Sequence, residues 1–127
     1  MRLSEGAMPK QASVAEIERH LSTLRESPVL IARLTGGLDE ARLRQAPAPK
    51  EWSLVEVLAH VRSGAEVWSY SIYAMLTLEA PTLAHIHPRD WAKMQRYETL
   101  SFAENMQAFA VERANLLRVL ERLAFAD

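Results

Sequence analysis

Cysteine is absent from this 127-residue chain, which excludes disulfides, zinc–thiolate sites and cysteine nucleophiles. Its four glycines are scattered, with Gly36-Gly37 the one adjacent pair, so there is no glycine-rich loop to cradle a phosphate. No G-x-S-x-G elbow occurs, and Ser/His/Asp catalysis finds no support. The formal net charge is −1 and the pI about 6.4, which give no electrostatic case for nucleic acid or anionic membrane. No apolar run approaches the length of a membrane span, and residues 1–12 lack the apolar core of a secretion signal. These absences lead to the expectation of a cytoplasmic protein with neither a nucleic-acid nor a membrane partner. Alternating strand patterns with turn flanks are also missing, so the class is all-α.

What is present is helical periodicity. Residues 1–12 mix Gly6, Pro9 and polar side chains without a period and read as a flexible leader, with residues 13–127 as one domain. Ser13 and Glu16 have capping-box spacing at the start of a first helix, whose apolar positions are Val14, Ile17, Leu21 and Leu24. Ser27-Pro28 either restarts or kinks that helix; Val29, Leu30, Ile31 and Leu34 supply a face beyond it, and Gly36-Gly37 ends it. A short helix over 39–45, capped by Asp39, precedes the extended connector Ala46-Pro47-Ala48-Pro49-Lys50. A long helix follows from Ser53 to about Leu78. Pro81 and Pro88 bracket a crossover in which Trp91, Met94 and Tyr97 pack over one end of the bundle. Ser101 and Glu104 open the last helix, with the stripe Phe102, Met106, Phe109, Ala110, Arg113, Leu116, Leu117, Leu120 and Leu123.

The chain is organised around the start of the long helix. Ser53 and Glu56 have the capping-box arrangement, and Trp52 stands before the cap, where an apolar residue can pack back onto the first turn. His60 falls one turn beyond Glu56, at the edge of the stripe Leu54, Val57, Leu58, Val61, Ala65, Trp68, Ile72 and Met75. A histidine there is either a core residue satisfied by one hydrogen bond or a metal ligand. In the second case Glu56 orients the imidazole or ligates beside it, and Gly64 leaves space above the ring.

The run W-S-x-x-E-V-L-x-H-V from Trp52 to Val61, with Trp68, Tyr73, the segment ending Glu79-Ala80-Pro81-Thr82-Leu83 and the last helix, resembles the DinB-like superfamily, also called the YfiT-like metal-dependent hydrolases. The resemblance covers roughly Val29 to Leu123. It implies an antiparallel up-down bundle of the four-helix type, holding a divalent metal such as zinc or nickel through three histidines. His60 matches the ligand of the second long helix. The other two come from an H-x-x-x-H pair on a final helix, and no such pair occurs here, so the fourth helix is expected to be absent or truncated. A short chain that dimerises, a truncated gene and a compact three-helix variant all remain open. The implied activity is metal-dependent hydrolysis or thiol-dependent transfer of an unidentified small-molecule substrate, with the metal site incomplete.

The remaining candidates are weaker. His85 and His87 form an H-x-H pair in the crossover, whose bland reading is a solvated loop; His20 beside Glu16 reads as a surface contact. Arg113 interrupts an apolar stripe, and an ion pair with Glu66 or Glu112 is expected to hold it, with binding of a substrate anion the minority reading. Trp52, Trp68, Trp91, Tyr70 and Tyr73 either line a pocket mouth or fill the core. The rival to a metal protein is a non-catalytic helical module whose uncovered groove binds a partner helix or a second copy as a homodimer.

Overall fold

The computed structural model describes residues 13–124, and the expected leader over residues 1–12 lies outside them. The chain forms α1 (Val14–Thr35), α2 (Glu40–Leu43), α3 (Leu54–Thr77), α4 (Pro88–Gln95), a 3₁₀ turn over Tyr97–Thr99, and α5 (Phe102–Ala124). The all-α bundle read from the sequence is the fold. Each long helix starts at a serine. Ser13, Ser53 and Ser101 accept the backbone N–H of Glu16, Glu56 and Glu104 at 3.1, 3.2 and 3.0 Å. At Ser53 the box is reciprocal, because Glu56 Oε1 also accepts the Ser53 N–H at 3.1 Å. Asp39 caps α2 through the Arg42 N–H.

α5 packs between α1 and α3. Arg62 of α3 meets Asn105 of α5, and Tyr73 lies in the field of Glu112, so α3 and α5 run in the same direction. α1 runs opposite: its early Ile17 shares a groove with Leu120 and Leu123, while its later Ile31 packs beside Phe102 and Met106. The antiparallel relation therefore holds for α1 against α5. The parallel pair follows from a connection between α3 and α5 that returns along the bundle.

Pro28 neither breaks nor restarts α1. Proline has no N–H to give the carbonyl one turn back, and Arg113 Nη1 reaches across from α5 to donate to that Leu24 carbonyl at 2.8 Å. The main core is Leu43, Val55, Leu58, Phe102 and Phe109, with Ile31, Leu38 and Met106 against it. The inward face of α3 is thus rotated from the expected stripe. Val55, Leu58, Ala59, Ser63, Val67, Ser69 and Ala74 are buried, whereas Leu54, Val57, Trp68 and Met75 are exposed. Four of these seven buried positions are alanine or serine, so the buried face of α3 does not follow side-chain size.

The crossover contains a helix that the sequence reading did not separate. Pro88 stands at the first position of α4 and Asp90 lies in its first turn, both standard starting signals. Ala92 and Tyr97 are buried against Ala59, with Trp91 beside them. Met94 does not pack; it is 66% exposed because it falls on the outer side of α4. Arg96 ends α4 in the left-handed region, at φ 57°.

Candidate functional site

Two polar arrangements occupy the space between α3 and the crossover. The first ties them together. Trp91 Nε1 and Tyr97 Oη both donate to Glu66 Oε1, at 3.2 and 2.5 Å. Arg62 lies with its guanidinium 3.6 Å from the centre of the Tyr97 ring, donates to Asn105 Oδ1 at 3.1 Å and approaches Glu66 Oε2 at 3.5 Å. Asn105 is fully buried, and its amide donates to the Tyr97 carbonyl at 2.8 Å. Burial, and then the bond to Glu66, push the Tyr97 hydroxyl up to about 12, so the phenol stays protonated and donates. Each residue has at least one partner, with Arg62 Nε the buried atom that makes no hydrogen bond among the described residues, and the arrangement has the character of a structural network.

The second arrangement is a cleft of about 420 Å³ at the N-terminal end of α3, lined by Trp52, Glu56, Ala59 and His60 from one side and by Arg89, Ala92, Lys93 and Glu98 from the other. His60 is half-buried there. Its Nδ1 is buried and has no hydrogen-bond partner among the described residues. The indole of Trp52 meets the imidazole edge-on, with ring centroids 5.4 Å apart, and the Arg89 guanidinium stands 5.3 Å from the Trp52 ring centre. Trp52 therefore contacts both the imidazole and a guanidinium. Arg89 and Lys93 are spaced i, i+4, which puts both on one face of α4 once that helix is recognised; this cue was available in the sequence.

The donor set does not fit a resident divalent ion. Among the described residues no three histidine or carboxylate side chains are placed to hold a metal ion together. Glu56 already spends Oε1 on the Ser53 N–H, one turn before His60, and makes no hydrogen bond to it. Catalytic zinc takes three protein ligands, and here the charges lining the cleft already balance one another, Glu56 and Glu98 against Arg89 and Lys93. The unpartnered His60 nitrogen is the feature that a ligand would satisfy.

The other candidates lie elsewhere. Arg113 is half-buried in the middle of α5, 4.9 Å from the Phe109 ring centre, and its hydrogen bond goes to the Leu24 carbonyl rather than to a carboxylate. Burial lowers its pKa, opposed by Glu112. His85 and His87 are exposed before α4, with rings in edge contact at 5.0 Å, and His20 is exposed on α1. Gly64 has open space where a side chain would stand.

Comparison with known proteins finds one likeness. A family model described as the DinB superfamily matches residues 23–127. Searches of curated proteins and of solved structures give no match.

Proposed function

The chain belongs to the DinB superfamily, and from that premise we propose that its His60 cleft is a small-molecule binding site at the superfamily's metal position, with too few ligands to hold a divalent ion tightly. The observation that supports this is the pairing of one unpartnered, half-buried imidazole with Arg89 and Lys93 in a cleft of about 420 Å³. A volume of that order suits a metabolite-sized ligand, and the convergent polar groups would orient it. The metal-dependent hydrolase or thiol-transferase chemistry of the resemblance is then ancestral to this chain.

The test is calorimetric titration of Zn²⁺ and Ni²⁺ into the protein and into His60→Ala. Binding weaker than roughly micromolar is expected for a single imidazole. Stoichiometric binding tighter than that, lost in His60→Ala, overturns the proposal and restores a complete metal site. A polar fragment set, read by NMR at the Trp52 indole, provides the positive arm: ligands that shift Trp52 and lose affinity in Arg89→Ala support the reading.

A second reading, association with a second copy, is favoured by uncovered apolar side chains. Val29 and Leu34 on α1 are 64% and 71% exposed, and Trp68 and Met75 on α3 are 68% and 54% exposed. Sedimentation over a hundredfold range of concentration tests it. A dimer abolished by Trp68→Glu is the expected signature, and a monomer throughout sinks it.

A further inference from the structure

A second cavity, of about 520 Å³, opens further along α3, between it, α5 and the chain leading into α4. Its charge is one-sided. Glu66 and Glu112 line it, and no lysine, arginine or histidine does. Both carboxylates also line the neighbouring groove, together with Glu104. Glu66 is already occupied by Trp91, Tyr97 and Arg62. Glu112 is not: its Oε1 is buried and has no partner among the described residues. The guanidinium of Arg113, next in sequence, points instead to the Leu24 carbonyl of α1.

An independent observation lies in the same wall. Ser69 is 2% exposed, and its Oγ has no hydrogen-bond partner among the described residues. Other hydroxyls on α3 turn back onto the helix: Ser63 donates to the Ala59 carbonyl, Ser71 to Val67 and Thr77 to Tyr73. Ser69 lines the cavity and makes no such bond. An orphaned buried hydroxyl costs stability unless something satisfies it. The remaining walls are the aromatic rings of Tyr70, Tyr73 and Trp91 and the aliphatic Val67 and Ile86.

We propose that this cavity binds a small organic amine, with its ammonium group between Glu112 and Ser69 and its apolar body against Tyr70, Tyr73 and Trp91. A cation is selected because both charged side chains in the wall are carboxylates and Glu112 Oε1 has no hydrogen-bond donor there. Aromatic faces reinforce that choice through their negative quadrupoles, while an anion would meet two carboxylates. An ammonium donates three hydrogen bonds and accepts none, which matches a carboxylate oxygen and a hydroxyl oxygen that both lack a donor. The body is apolar, because beyond the carboxylates and hydroxyls the wall is made of aromatic rings and the aliphatic Val67, Ala84 and Ile86.

The protein's three tryptophans make the experiment site-specific, since Trp91 lines this cavity, Trp52 the His60 cleft, and Trp68 stands exposed. Phenethylamine is titrated into ¹⁵N-labelled protein, with 2-phenylethanol as the uncharged counterpart. The expected result is a saturable shift of the Trp91 indole signal without one at Trp52. The alcohol should bind at least about tenfold more weakly, and Glu112→Gln should weaken the amine by about tenfold or more. Ser69→Ala, which removes an unpartnered hydroxyl, should keep the fold and also weaken the amine. Absence of a Trp91 shift, equal binding of amine and alcohol, or unchanged affinity in Glu112→Gln overturns the proposal. If Glu112→Gln unfolds, the discrimination between amine and alcohol by the wild type and by Ser69→Ala decides. A shift confined to Trp52 also overturns it, and leaves the His60 reading intact.

Discussion

Arg113 offers the sharpest test of how this bundle tolerates its proline. Pro28 removes the N–H that would bond the Leu24 carbonyl, and Arg113 Nη1 supplies a donor from another helix at 2.8 Å. Arg113→Met keeps most of the stem that packs beside Phe109 and deletes the donor. A hydrogen bond to a charged group contributes roughly 1.5–3 kcal/mol. Burial has already lowered the Arg113 pKa, so desolvation of the guanidinium offsets part of that gain. The expected loss is therefore about 1–2 kcal/mol, at the low end of the hydrogen-bond range. Pro28→Ala provides the control, because alanine restores an N–H that can reach Leu24 within α1. In that background the carbonyl keeps a partner without Arg113, and Arg113→Met should cost less by about 1 kcal/mol. Urea unfolding followed by circular dichroism, on wild type, both single variants and the double variant, measures the coupling. If the two substitutions add to within about 0.5 kcal/mol, Arg113 does not act through the proline and the reasoning fails.

Four further outcomes are expected. An ultraviolet absorbance titration should show one tyrosine ionising near 12, missing in Tyr97→Phe, because Tyr97 is pushed up to about 12 from an ordinary value of 10.0. Since the folded value exceeds the unfolded one, the stability this group contributes is complete below pH 10 and falls as pH rises toward 12; a wild type whose unfolding curves lose nothing more than those of Tyr97→Phe across that window contradicts it. Ser53→Ala should cost about 1 kcal/mol in thermal or urea unfolding, since it opens a reciprocal capping box, and an unchanged midpoint would deny that box its role. Phe109→Ala should cost roughly 3–5 kcal/mol, because Phe109 is 1% exposed at the centre of the core; a loss below about 1 kcal/mol would mean that the core collapses around the gap. Arg96→Gly should leave stability unchanged or raise it by up to about 1 kcal/mol, because a left-handed cap at φ 57° strains any side chain, and a clear loss would show that the Arg96 side chain has a role of its own.

The helices were legible because their starts are chemical. A serine followed three residues later by glutamate marks all three long helices, and the serine hydroxyl accepts the expected N–H each time. Which face of a helix turns inward was less legible. The spacing of large apolar residues on α3 suggested Leu54, Val57, Trp68 and Met75, yet Ser63 and Ser69 lie deeper than any of them. Hydrophobic periodicity reports where apolar side chains recur; burial also depends on how closely another helix approaches, and small residues decide that. The same bias concealed the crossover network, since Arg62, Asn105 and Glu66 look like surface residues until Tyr97 and Trp91 fold over them.

The His60 position was readable from the W-S-x-x-E-V-L-x-H run alone, but the chemistry around it depended on α4, which places Arg89 and Lys93 in the cleft. In that cleft the charges pair off, Glu56 and Glu98 against Arg89 and Lys93, and His60 Nδ1, which makes no hydrogen bond among the described residues, is the group a ligand would meet. Further along the same helix that balance is lost, with Glu66 and Glu112 facing aromatic rings and no lysine, arginine or histidine in the wall. One long helix thus lines one cavity of mixed charge and one whose charged lining is all acidic. An ammonium ligand gains from the second lining what the first, with Arg89 and Lys93 opposing it, does not offer, so the two sites should differ in what they select.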